Sequence, residues 1–307
     1  RQQTISEVLT AFVDLQLRSI AYQVSGQVAG PIPFLVDDDF LFFNPKAGLT
    51  YQVASRQKLY FSYAKAQREP NRTDYENGNP QPEKLDDFEL GWRINTPKIQ
   101  AQTNIYWMEY KDQLVLTGAI DAVGSPIRQN VGKSRRLGIE LELKMNLSSN
   151  WLWQPNIALS SNQNLDFYFK RDGVLEGLGK TQLAYSPNLV GGSAIMYVPS
   201  TRFQIGFLSK YVGKQYMGNI DSENSTLEAY FVNDLNAVFT WKPNKWVSEI
   251  QWSFLINNIF DKRYESNGYF YTYDDSWSTP GQVTTIEGAG YYPQAGINFL
   301  TGVILRF

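Results

Sequence analysis

The 307-residue chain has no cysteine and no histidine. Without cysteine there is no thiol nucleophile, no disulfide and no zinc-finger site, which fits an oxidising or exposed compartment. Without histidine the usual general base is missing. No stretch approaches the ~18 continuous apolar residues of a membrane-spanning helix. The formal net charge of −2 provides no basic field for nucleic acid. No signal peptide opens the chain; Arg1 is followed within a few residues by a strand pattern, so the chain reads as processed or truncated. None of these absences excludes a transmembrane β-barrel, whose strands alternate lipid-facing apolar and lumen-facing polar residues and so stay polar on average.

What is present is a high aromatic content, 15% of residues, and alternation with period two from end to end. Leu137, Ile139, Leu141, Leu143, Met145 and Leu147 form one face of a segment whose other face is Gly138, Glu140, Glu142, Lys144 and Asn146. That run is about as long as a tilted strand needs to cross a bilayer. Segments around Phe88–Ile94, Phe203–Phe207, Leu235–Trp241 and Ile250–Ile256 alternate in the same way. The pattern predicts about twelve strands, at 4–23, 42–54, 57–67, 85–95, 98–114, 133–148, 151–165, 186–199, 201–216, 229–242, 247–258 and 297–307. Very short turns at 54–56, 95–98, 148–150, 199–201 and 242–246 alternate with long polar loops at 24–41, 68–84, 115–132, 166–185, 217–228 and 259–296. Outer-membrane barrels have this asymmetry, with short periplasmic turns and long extracellular loops. The final strand carries Ile297, Phe299, Val303, Leu305 and Phe307 on one face, and its terminal aromatic sets the C-terminus in the periplasm. Trp92, Trp153, Tyr197, Phe203 and Trp241 fall near short turns, where an interfacial girdle belongs. The expected fold is an all-β, transmembrane antiparallel barrel, with 1–307 as a single barrel region; a soluble β-sandwich is the competing class.

Several segments, in order, resemble the C-terminal part of TonB-dependent outer-membrane receptors. Leu59–Asn71 (LYFSYAKAQREPN) is similar to that family's strand ending in an Arg-x-Pro type sequence, and Pro82–Arg93 (PEKLDDFELGWR) to its Pro-Glu…Glu-Leu-Gly strand. Asn130–Glu142 (NVGKSRRLGIELE) resembles its Asn-x-Gly…Gly-Ile-Glu-x-Glu strand. Asn257–Tyr264 (NNIFDKRY) resembles its Asn-Leu-Phe-Asp-Lys-x-Tyr motif, and Phe307 its terminal aromatic. The resemblance implies part of a barrel of about 22 strands that holds an N-terminal plug. Neither a plug nor an energy-coupling box is recognisable, so the chain reads as the later half of a receptor. It implies Gram-negative outer-membrane localisation, outer-membrane lipid as solvent, TonB engaged through the missing N-terminal region, and an iron complex (siderophore) or similar scarce nutrient as cargo.

For plug-facing lumenal residues the expectation is Glu89, Arg93, Arg135, Arg136, Glu140 and Glu142. The acidic run Glu83, Asp86, Asp87 and Glu89 is either a cation or plug contact or ordinary lumenal polarity. Ligand contact is expected from extracellular loops. Arg68 and Arg72 could grip anionic carboxylates or catecholates, Lys214 and Tyr216 lie near an outer rim, and Tyr271, Tyr273 and Trp277 lie in the middle of the last loop. Other aromatics of that loop, such as Tyr269, Tyr291 and Tyr292, suit either capture or an outer girdle. No catalytic residue, metal ligand or cofactor is expected, since a watery lumen does not hold the dry, pKa-shifted pair that acid–base chemistry needs. The alternatives to a transport receptor are a self-contained passive channel or secretion pore of about twelve strands, and a surface adhesion protein working through its aromatic loop.

Overall fold

A computed structural model describes residues 2–27, 33–120, 126–243 and 246–307. The strands are β1 Gln2–Ser6, β2 Leu9–Gln27, β3 Pro33–Ala54, β4 Gln57–Arg68, β5 Glu83–Asn95, β6 Ile99–Ile120, β7 Pro126–Asn146, β8 Trp151–Arg171, β9 Val174–Gln182, β10 Leu189–Ser200, β11 Phe203–Val212, β12 Gln215–Tyr216, β13 Thr226–Leu227, β14 Tyr230–Trp241, β15 Glu249–Asn257, β16 Glu265–Asp275, β17 Thr284–Pro293 and β18 Asn298–Arg306. One short helix, α1 Arg72–Glu76, sits between β4 and β5. Among the described residues no helix is long and apolar enough to cross a membrane.

Thirteen strands form one antiparallel path, β1 to β8, then β10, β11, β14, β15 and β18. Each pairs with the next along the chain, and β1 and β18 are the two edges of the open sheet. The expected count was one short because the segment 4–23 is two strands, reversed at Glu7–Val8. That turn carries no Gly, Pro or Asn, so hydrophobic alternation reads straight through it. The expected short turns at 54–56, 95–98, 148–150 and 199–201 hold, and each lies at the same end as the C-terminus of β18, while the one at 242–246 includes residues 244–245, outside the described residues. The expected long loops are corrected: much of 24–41, 115–132 and 166–185 is strand, because β2, β3, β6, β7 and β8 run 19 to 22 residues. At about 3.3 Å per residue the longest rise roughly 70 Å, while a bilayer needs only about ten tilted residues. In the outer halves of β3, β6 and β8 apolar residues fall on both faces, as Phe34 and Leu35, Leu114 and Val115, and Phe167 and Tyr168 do, so the alternation by which a sequence announces a strand is lost.

In the lower half, odd-numbered residues of β2 and β6–β8 face outward: Leu15, Leu17, Ile105, Trp107, Leu137, Ile139, Ile157 and Leu159 are all exposed, an apolar belt suited to lipid. The belt continues through Phe61, Leu90, Phe239, Phe254, Phe299 and Val303, and the registers place these in lateral rows. Higher up in β6–β8 the faces exchange, whereas β3 keeps its parity, with Leu35 and Leu41 exposed and Phe34 and Val36 buried. Val115 and Val131 are buried although they are odd-numbered, above Asp112, which has left-handed backbone at φ 57. In β8 the register shifts between Asn164 and Phe167, and Phe167 and Phe169 turn inward. These residues, with Leu183 and Ile220, form a hydrophobic core above the membrane belt, against which Leu178 and Phe270 pack.

On the inner face, large rings lie flat across glycines of the next strand. Tyr60 is registered opposite Gly91, and Tyr106 opposite Gly138. A Cβ at Gly91 would overlap the Tyr60 ring, and one at Gly138 would overlap Tyr106 and approach Leu159 O. These rings cover the glycine backbone that the close approach requires. Gly138→Val in the full-length protein is therefore expected to cost about 1–3 kcal/mol of stability, the range for overpacking. Gly26→Val, where an added Cβ meets nothing within 4 Å, is the control. Urea titration in detergent micelles, followed by tryptophan fluorescence, checks this, and coincident midpoints for the two variants would contradict the packing account.

Candidate functional site

The inner wall is built by the even positions of β4, β6 and β7 and the odd positions of β5, set opposite the lipid-facing rows by register. Glu89, Arg93, Arg136, Glu140 and Glu142 all stand on it. The Arg93 guanidinium lies 5.0 Å over the Tyr60 ring, and the Tyr60 hydroxyl donates to Asn104 Oδ1 at 3.0 Å. Arg135 is a correction: it shares the outward face with Leu137 and Ile139, opposite Glu109 and Gln163. Sequence neighbours on a strand point to opposite faces, so Arg135 and Arg136 could not both face the lumen. Asp86 is displaced for the same reason, pointing outward and accepting from the Tyr63 hydroxyl at 2.6 Å.

Two concavities of the inner wall lie among the residues expected to face the lumen. The lower, of about 440 Å³, is lined by Arg93, Gln102, Glu142, Lys144 and Asn156 among others. The upper, of about 360 Å³, lies beneath the outer loops and brings together Arg68, Arg128 and Arg136 with Glu83, Tyr110, Tyr185 and Asn219. Glu83 is committed, pairing with Arg68 at 2.8 Å and accepting from Leu114 N at 2.7 Å. Arg136 stacks 4.5 Å over the Tyr110 ring. Among the described residues neither Arg128 nor Arg136 has a carboxylate within 4.0 Å. Among the described residues the cavity thus offers two guanidinium groups without a directly paired carboxylate, beside phenolic and amide groups, a suitable cradle for an anion.

Of the expected loop residues, Arg68 enters this cavity and Arg72 does not. Arg72 is an α1 residue that pairs with Glu76 at 2.7 Å and covers the Phe34 ring at 5.8 Å. The helix is fixed by an Asn71–Asp74 capping box and by Tyr75, which stacks on Tyr22 at 5.6 Å and donates to Asp38 at 2.6 Å. Burial, reinforced by that hydrogen bond, pushes the Tyr75 hydroxyl far above its ordinary value. Lys214 pairs with Glu223 at 3.1 Å and lies 5.4 Å over Tyr216, forming a separate unit on the β12–β13 ladder. Arg128 falls in what the sequence presents as a loop, and nothing local marked it.

The cavity is roofed by a loop layer that one hairpin ties together. β16 and β17 pair over their length, and β16 meets the top of β6 at Thr272 and Ala119. Asp172 and Thr285 exchange hydrogen bonds, each at 2.7 Å. Tyr185 donates to Gly268 O at 2.9 Å, which joins the cavity wall to the hairpin. Asn219 is buried, accepting from Ala184 N at 2.9 Å and donating to Leu116 O at 2.7 Å. Glu287 is the hub, accepting from Ser222, from Asn224 at 3.0 Å and from Arg171 at 3.3 Å. The face of β16 that bears Phe270 turns toward the core, while Tyr269, Tyr271 and Tyr273 continue to Trp277 in a stack with centroid spacings of 6.2, 6.4 and 5.9 Å. The expected trio Tyr271, Tyr273 and Trp277 is therefore one continuous aromatic surface.

Burial alone would raise the Glu287 carboxyl, but hydrogen bonds from Ser222, Asn224 and Arg171, with the Arg171 charge, outweigh it and hold the group below the ordinary glutamate value. A depressed carboxylate stabilises the clamp above its unfolded pKa, and the contribution is lost as pH falls through the folded one. Spin labels at Gln282 and Lys180 are therefore expected to show a narrow distance distribution at neutral pH that broadens below about pH 4. Glu287→Ala should broaden it at every pH, costing the hairpin about 1–3 kcal/mol. A distribution indifferent to both would remove Glu287 from the clamp.

The model of the family described as TonB dependent receptor-like, beta-barrel matches residues 17–260. The pesticin receptor of Yersinia enterocolitica is 26% identical over 189 residues, 61% of this chain and 26% of that protein. The chain thus spans about a quarter of the length of the curated relatives it matches. Among solved structures, the ferric-catecholate import receptor Fiu from K12 E. coli in its closed form matches 98% of this chain and 43% of its own, with a TM-score of 0.68 and 15% identity. The copper transporter OprC matches 97% and 45%, with a TM-score of 0.71 and 20% identity. At such identities these structures speak for the fold alone, and it is the match across residues 17–260 that makes the chain a member of the TonB-dependent receptor-like β-barrel family.

Proposed function

We propose that the protein carrying this chain is an outer-membrane receptor that takes up an anionic iron complex with energy delivered through TonB. Residues 1–307 act as one barrel region that supplies wall and outer loops and performs no chemistry of its own. The observation that carries the reading is the roofed upper cavity, in which Arg128 and Arg136 have no carboxylate within 4.0 Å among the described residues. A ferric chelate with carboxylate or catecholate oxygens presents the negative, planar groups that guanidinium binds in bidentate fashion. A ferric-catecholate receptor and a copper transporter share the fold, so the preference for a ferric chelate comes from the cavity's charge and not from the barrel. In this reading the Tyr269–Trp277 stack captures ligand from outside, the cavity holds it, and the plug beneath meets Glu89, Arg93, Glu140 and Glu142. The C-terminus and short turns are periplasmic, and the loop layer is extracellular. A self-closed pore would require β1 to pair with β18, and the sheet is open.

In cells lacking the native protein, complementation with the full-length receptor is expected to restore uptake of a radiolabelled ferric catecholate, and only when TonB is present. The double variant Arg128→Ala/Arg136→Ala should bind the complex roughly ten- to a hundredfold more weakly, as loss of charge-assisted hydrogen bonds implies. Uptake independent of TonB, or undiminished binding by the double variant, would defeat the reading. Orientation can be checked separately in a full-length receptor whose only cysteine is the introduced one. Trp277→Cys should react with an impermeant maleimide on intact cells, and Ser148→Cys only after the outer membrane is permeabilised.

A further inference from the structure

The outward face of β4–β7 changes character abruptly at one level. Up to Tyr63, Phe88, Trp107 and Leu137 the lateral rows are apolar except for Gln57 and Thr103 and carry no charge, and the three rings adjoin, with centroids 5.0 and 6.2 Å apart. One pleat higher the register sets Lys65, Asp86, Glu109 and Arg135 side by side. One pleat higher again it sets Lys84 opposite Lys111, and Lys111 opposite Lys133.

The lysine row lies 11 to 13 residues above the short-turn ends of β5, β6 and β7. For strands tilted by about 45° that is roughly one hydrocarbon thickness, so the row stands at the far interface of the bilayer. Three lysines on directly opposed positions, with backbones about 5 Å apart, place their ammonium groups close enough to repel one another. Among the described residues none of Lys65, Lys84, Lys111, Lys133 and Arg135 has a carboxylate within 4.0 Å. The two carboxylates of the lower row are turned to the belt instead, Asp86 accepting from Tyr63 and Glu109 from the Trp107 indole, both at 2.6 Å. The surface is therefore an aromatic strip at acyl-chain depth, a row of mixed charge above it, and at headgroup depth three neighbouring lysines with no carboxylate on the opposed positions.

We propose that this face holds a phosphorylated glycolipid of the outer leaflet. Its phosphates lie among Lys84, Lys111, Lys133 and Arg135, and its acyl chains lie on Phe88 and Trp107. An anion placed between the lysines turns their mutual repulsion into attraction, and multiple phosphates match a row of three cations better than one. The assignment to the outer leaflet rests on the orientation given under Proposed function.

The test uses the full-length receptor, purified and delipidated, with native mass spectrometry as readout. The probes are diphosphoryl lipid A, its dephosphorylated form and phosphatidylglycerol. Wild type should retain diphosphoryl lipid A, and so should Lys58→Gln/Lys144→Gln, which alters the inner face. Lys84→Gln/Lys111→Gln/Lys133→Gln should bind it roughly a hundredfold more weakly, about fivefold for each lysine facing an anionic lipid surface. The triple Lys→Arg variant should bind it as wild type does, which separates lost charge from lost folding. Equal binding by the triple Gln variant, or equal binding of the dephosphorylated lipid, overturns the proposal whatever happens to ferric uptake. A preference for phosphatidylglycerol that the triple Gln variant abolishes overturns instead the orientation on which the leaflet assignment depends.

Discussion

Hydrocarbon supplies no partner for a backbone N–H or C=O, so every such group at membrane depth must be taken by the neighbouring strand. The rest of this structure follows from that requirement. It forces thirteen strands into one uninterrupted ladder, and the ladder fixes side-chain direction with period two. The belt of Leu, Ile, Phe and Trp and the lumenal rows of Glu, Arg and Tyr are the two sides of that single constraint. Above the membrane water relieves it. There β6–β8 bulge and exchange faces, and a compact apolar core forms around Val115, Phe167 and Leu183, a centre that the membrane wall itself does not need.

The boundary between these regimes is also the boundary of what could be read from the sequence. The wall was legible: β7 and β18 announce themselves by alternation, and the short turns by their position between alternating runs. The reversal at Glu7–Val8 was not, because no turn-forming residue interrupts the pattern. Neither were the outer halves of β3, β6 and β7, whose residues contact other loops and no longer sort into oily and polar faces. Arg135 and Arg136 look equivalent in sequence, but β geometry puts neighbours on opposite faces, so only Arg136 reaches the lumen. Arg128 and Glu287 carry no local signal at all; each gains its role from partners far along the chain, in the case of Glu287 over 60 residues away.

The loop layer and the cavity beneath it are mechanically one object. Tyr185 lines the cavity and bonds to the hairpin backbone at Gly268. Asn219 lines it as well and ties the strand tops of β6 to the segment after β9. A ligand resting on the aromatic stack and one resting on the arginines would therefore push on opposite sides of the same set of hydrogen bonds. The stack is firm because its backing face is anchored in the core, so its rings offer area at little conformational cost.

The left-handed residue Asp112 in β6 and the register shift after Asn164 in β8 mark the level at which, on this part of the wall, inside and outside are renumbered. Below that level a one-residue insertion would throw the whole lipid-facing set into the lumen, so length is frozen. At that level parity is already broken, and a residue gained or lost there alters only what lies above. Evolution can thus rebuild the outer half with new strand lengths, new pockets and new specificities as a detachable crown, on a wall that must keep its arithmetic intact.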